Sequence, residues 1–262
     1  LGSKCGKCEF RATAGEEASG MLSGWKECWK ESLGWTDEDF GSPTVLDVWD
    51  FRKKDKLIEA GRIKMTDLDI ADVGPKSDQK PGISPSERQW LQIEKVQNQD
   101  QLIWLDEDGL RNEMSGWGFP LHFIDFETSM VALPFNAGRK PYEEIAFQFS
   151  HHKVHEDGTV EHAGEYLSTD PGVFPNYDFV RALKAQLEND DGTILRYSNH
   201  ENTYLNAIHR QLREDPQSID DREDLCGFIE SITEAKKDFP GGWKGERNMV
   251  DLWKIVKRYY YD

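Results

Sequence analysis

Hydrophobic and polar residues alternate most clearly in the second half of the chain. Residues 121–127, Leu-His-Phe-Ile-Asp-Phe-Glu, are a short apolar run with acids embedded in it. Residues 145–154 alternate with a period of two and predict a second strand. Glu156-Asp157-Gly158 is a hairpin turn signal, after which residues 159–167 return as a third strand. The spacing then turns helical over 176–187, with Phe179, Leu183 and Leu187 on one side. Residues 192–197 predict a fourth strand and 201–212 a helix, with two more helical segments near 222–237 and 248–261. The order β-β-β-α-β-α predicts an α/β fold with a mixed sheet flanked by helices.

Before Phe119 the pattern is different. Residues 1–35 hold Cys5-Gly-Lys-Cys8 and a small-residue stretch, and read as irregular. Residues 36–116 read as mainly helical. Thr36 before Asp37-Glu38-Asp39 suits an N-cap. Ser84-Pro85-Ser86-Glu87 is a capping box with proline at the first helical position. Trp90, Leu91, Ile93 and Val96 follow at helical spacing, residues 72–84 form a connecting loop, and Asp106 caps a helix ending near Gly116. Two regions are therefore expected: a mainly helical, cysteine-bearing segment over 1–118, and an α/β domain over 119–262.

The net charge of -17 argues against a non-specific duplex-DNA binder, which needs a basic stripe. It leaves open a protein that holds its substrate through metal ions, because bound cations invert the local field. With 37% hydrophobic and 31% charged residues, the chain reads as globular and cytoplasmic, with no membrane span or signal peptide. It begins without Met and ends within a predicted helix, which suggests a fragment.

The chemistry centres on Phe123-Ile124-Asp125-Phe126-Glu127-Thr128. In a strand, Asp125 and Glu127 point to the same face. Two neighbouring carboxylates in an apolar strand repel each other and favour a hard divalent cation, Mg²⁺ or Mn²⁺. Solvated acids at a strand mouth fit the same pattern. Further on, Arg196-Tyr-Ser-Asn-His-Glu201 places Glu201 at the start of a helix, from which it can point back to the first strand.

Asp125-Phe-Glu127-Thr128 resembles the first motif of the DEDD exonucleases, and Asn199-His200-Glu201 with Leu205 resembles the second, where Asp is usual. More specifically, residues 122–128, Pro134-Phe135, Arg139-Lys-Pro-Tyr142 and Phe147-Gln148-Phe149-Ser150 resemble a bacterial family, domain of unknown function 2779. The resemblance covers 119–262. It implies an RNase H-like, two-metal exonuclease that hydrolyses single-stranded DNA or RNA from a 3′ end, with Asp125, Glu127 and Glu201 as catalytic metal ligands. It also implies a RecB-like nuclease domain earlier in the same chain and a last acidic motif beyond Asp262. Asp251-Leu252 resembles the segment that precedes that motif. The rival reading is a non-catalytic nucleic-acid-binding or scaffold module.

Cys5, Cys8 and Cys28 resemble the cysteine set of RecB-like nucleases, which implies a 4Fe–4S cluster or Zn²⁺; free thiols are equally expected. Cys226 reads as core. His151, His152, His155 and His162 read as solvated hairpin side chains, and His122 as structural. Arg139 and Lys140 are candidate phosphate ligands, and His200 a candidate substrate contact. Phe135 and Tyr142 would stack a base or pack their loop.

Overall fold

The computed structural model describes residues 1–236 and 241–262. The chain divides into two compact units, Leu1–Gly109 with Lys257–Asp262, and Leu110–Val256.

The first unit is built from short helices and turns around a core that includes Trp25, Trp29, Val45, Leu57, Met65 and Ile93. Residues 1–35 are more regular than expected, because α1 (Gly24–Leu33) forms there. Its Trp25 and Trp29 lie one turn apart, so both enter the core. Thr36 bonds Asp39 through its backbone and hydroxyl, yet only a single 3-10 turn follows. In α2 (Pro85–Gln97) the Ser84–Glu87 capping box forms as expected, with Pro85 in the first turn. Asp106 caps Glu107–Met114 by accepting from the Gly109 amide.

The second unit is a mixed α/β layer structure. Its strands are β1 (Leu121–Ser129), β2 (Ile145–Val154), β3 (Val160–Leu167), β4 (Ile194–Arg196) and β5 (Val250–Asp251). They form one five-stranded sheet in the order β3-β2-β1-β4-β5. The first three are antiparallel, while β4 runs parallel to β1 and β5 parallel to β4. The helices are α3 (Asn176–Leu187), α4 (His200–Glu214), α5 (Arg222–Ile232) and α6 (Leu252–Tyr259). The segment predicted over 222–237 stops as a helix at Ile232, and Lys237 lies outside the described residues. The segment predicted over 248–261 divides into β5, α6 and a two-residue strand, Tyr260–Tyr261.

The core of this unit joins Ile124 and Phe126 of β1 to Phe149, Phe179, Leu183, Leu205, Ile208 and Cys226. Phe179 meets Phe126 and Phe149 edge-on, at 4.8 and 5.3 Å between ring centres. Burial along β1 alternates, with His122, Ile124 and Phe126 inside and Phe123, Asp125 and Glu127 outside. This pleat places the two acids on the open face.

One histidine departs from the sequence reading. His151 is fully buried rather than solvated. Its Nε2 lies 2.9 Å from His122 Nδ1 and its Nδ1 2.8 Å from Gln186 Oε1. His122 Nε2 in turn lies 2.6 Å from Asp190 Oδ1. A side chain at Gly192 would collide with the Pro120 carbonyl and His122, so glycine lets the chain enter β4 over this network. His152, His155 and His162 remain on the hairpin surface, near one another or near Glu161 and Glu165.

Burial pushes the pKa of both His122 and His151 down. The unfolded chain therefore takes up protons that the folded chain refuses as pH falls below about 6.5, and stability declines there. Calorimetry from pH 8 to pH 5 should show this loss, with a shallower slope for His151→Gln; an unchanged slope would exclude the pair as its source.

Candidate functional site

The carboxyl ends of the parallel strands β1, β4 and β5 lie along one edge of the sheet, the usual crevice for ligands in open α/β sheets. Asp125 and Glu127 approach it on β1. The pairing of β1 with β2 slips between Glu127 and Thr128, a bulge that re-aims the strand at this point. Neither acid has a hydrogen-bond or ion-pair partner among the described residues.

Glu201 stands in the first turn of α4 and is only 3% exposed. Its Oε2 is buried without a hydrogen-bond partner. Burial pushes its pKa up to about 7, and the nearby Asp125 and Asp251 push the same way, against the opposing Arg196. The two motifs read from sequence are joined directly, because Thr128 Oγ1 lies 3.0 Å from His200 Nε2. His200 also packs against Tyr204, at 4.6 Å between ring centres.

Two further residues belong to this edge. Asp251 ends β5, in register with Arg196 of β4. Its Oδ1 accepts from the Ser198 and Trp253 amides, each at 3.1 Å, and its Oδ2 lies 3.6 Å from Arg196 Nη1. The Arg196 side chain is fully buried, and its Nε and Nη2 lack partners. A guanidinium and a carboxylate, each with unmet hydrogen-bonding capacity, thus flank the same edge. In the sequence Asp251 is marked only by the family resemblance, and Arg196 by no local signal, because its burial depends on strands on both sides of β4.

Arg139 and Lys140 lie elsewhere. Arg139 sits over the Phe174 ring, with its guanidinium carbon 3.3 Å from the ring centre, and faces Glu143 at 3.3 Å and Asp215 at 3.6 Å. Lys140 lies 3.8 Å from Glu214. Glu214 and Asp215 are at the far end of α4 from Glu201, roughly 20 Å away at 1.5 Å per residue. The expected phosphate-binding role for Arg139 and Lys140 at this edge therefore gives way to an anchor for the loop after β1, since Arg139 pairs with Glu143 inside the loop and, like Lys140, meets an acid at the distant end of α4. Phe135 and Tyr142 do not pack that loop and are exposed.

The donor set suits a hard cation: carboxylate oxygens, one of them buried and unsatisfied. Among the described residues, however, no group of three or more His, Cys, Asp or Glu is placed to hold a metal ion. That includes Cys5, Cys8 and Cys28; the first two are half-buried and pack on the core of the first unit, and the third is exposed. Cys226 is buried, as expected.

Residues 122–262 match the family described as Domain of unknown function (DUF2779). The chain belongs to this family. The match begins one residue into β1 and takes in Asp125, Glu127, Glu201 and Asp251, so all the acids of the sheet edge lie within the family's domain. No curated protein and no solved structure matches the chain. Among the described residues, no helix is long and apolar enough to cross a membrane.

Folding keeps the proton on Glu201 to higher pH than in the unfolded chain, so the metal-free protein loses stability as pH rises from about 4.5 to about 7. Glu201→Gln should remove that loss, on the order of 3 kcal/mol at pH 8, and leave stability at pH 4 little changed. Denaturant unfolding at the two pH values checks this; equal effects at both would contradict it.

Proposed function

We propose that the chain is a divalent-metal-dependent nuclease of the DEDD type, with an RNase H-like core, acting on single-stranded DNA or RNA. The observation that carries this reading is Glu201: a buried carboxyl with an unsatisfied oxygen, beside Asp125 and Asp251 on the open edge of the sheet. Such a group is costly to keep unless a ligand uses it. The sheet order β3-β2-β1-β4-β5 supports the RNase H-like assignment.

Asp125, Glu127 and Glu201 would hold Mg²⁺ or Mn²⁺, which when bound supplies an activated water and charge neutralisation at a phosphate. Arg196 offsets part of the negative charge that Glu201 and Asp251 bring together. Thr128 and His200 tie β1 to the start of α4, which fixes Glu201 relative to the strand acids. A cation must draw the carboxylates closer than they stand here. At pH 7 it must also compete with the proton on Glu201, so metal binding should strengthen with rising pH.

The same lack of a preformed three-ligand group favours the second reading, a binding or scaffold module that serves a RecB-like nuclease domain. Cleavage of end-labelled single-stranded DNA and RNA with Mn²⁺ decides between them. The nuclease reading expects cleavage, with a loss of about a hundredfold or more in Asp125→Ala and Glu201→Gln. No cleavage by the folded wild type, or equal cleavage by the variants, would leave the scaffold reading.

A further inference from the structure

Beside the acids, the open face of the sheet carries aromatic surface. Phe123 precedes Asp125 by two residues on β1 and is 36% exposed. Tyr197, the first residue after β4, is 58% exposed, although the three strand residues before it are buried. β1 and β4 pair in parallel, with His122 opposite Ile194 and Phe123 opposite Leu195. Continuing that register by two residues places Tyr197 beside Asp125. Cross-strand neighbours lie ~5 Å apart, within the span of a single nucleotide. The Tyr197 ring is braced from α6 by Trp253, at 5.9 Å between ring centres with the planes tilted by 51°.

We propose that Tyr197, supported by Trp253, is the platform on which an unpaired base of a nucleic-acid strand stacks while its phosphate lies at Asp125 and Glu127. This inference rests on the metal-dependent nuclease reading and names the residue that selects single strands. A base can lie flat on a side chain only when it has left its partner, so the platform rejects intact duplex. An apolar peptide on the same surface would cover Asp125 and Glu127 without neutralising them, which costs free energy. A nucleotide arriving with a divalent cation satisfies both the ring and the acids. Tyr197 recognises the substrate without touching the reacting atoms.

The test is the fluorescence anisotropy of a labelled oligodeoxythymidylate, with Ca²⁺ or with EDTA, against wild type, Tyr197→Phe and Tyr197→Ala of the full chain. Thermal melts confirm that each variant is folded, as expected for so exposed a position. The platform expects Ca²⁺-dependent binding that weakens about tenfold in Tyr197→Ala, stays near wild type in Tyr197→Phe, and is weaker for the matching duplex. Tyr197→Ala binding as tightly as wild type, or wild type failing to bind any single strand, would overturn it. The two proposals fail separately. Tyr197-dependent binding without cleavage removes the nuclease and keeps the platform; cleavage with an unchanged KM in Tyr197→Ala removes the platform and keeps the nuclease.

Discussion

Successive side chains of a strand face opposite ways, and the second unit depends on this property of β1. Ile124 and Phe126 must be buried for the sheet to pack on α3 and α4. The same pleat then leaves Phe123, Asp125 and Glu127 on the other face. A slip of one residue would bury two carboxylates and expose two core residues, so packing and chemistry enforce one register. The two strand acids are therefore held in place by the hydrophobic core beneath them.

The edge where β1, β4 and β5 end is under electrostatic tension. Burial and two neighbouring acids oppose the charge on Glu201, and they outweigh its backbone hydrogen bond and Arg196, which favour it. Arg196 is itself buried with donors to spare. A protein selected for stability alone would do better with apolar residues at both places. Keeping an unsatisfied acid and an under-used guanidinium side by side makes sense at a site that a charged ligand completes. The opposite treatment is visible around Arg139, whose guanidinium is met by Glu143, Asp215, Tyr177 and the Phe174 ring. There the charge is matched and the job is structural.

The sheet-forming half was largely legible in advance. Residues 145–154 and 176–187 were read with the bounds the structure gives, because periods of 2 and 3.6 are strong there. Asp125, Glu127 and Glu201 stood out as acids at a strand and a helix start. The first unit was harder: small residues ahead of α1 masked a helix whose evidence was the four-residue spacing of Trp25 and Trp29. The buried His151 was also within reach, since it shares the odd-numbered alternation of Ile145 and Phe149. A polar residue type outweighed a correct position.

By itself, the sequence determined which residues alternate, which cap and which turn, because those depend on neighbours within a few positions. It thereby determined the first four strands and the helices after β3 and β4, with two acids on one face, while β5 lay inside a segment that reads as helix. Only the tertiary structure decided which distant residues meet. It brought Asp251 and Arg196 to the edge where Glu201 points, paired β4 with β1 so that Leu195 faces Phe123, and took Arg139 and Lys140 to the far end of α4. Contacts between residues tens of positions apart follow from how strands order themselves in the sheet, and no local pattern carries that information.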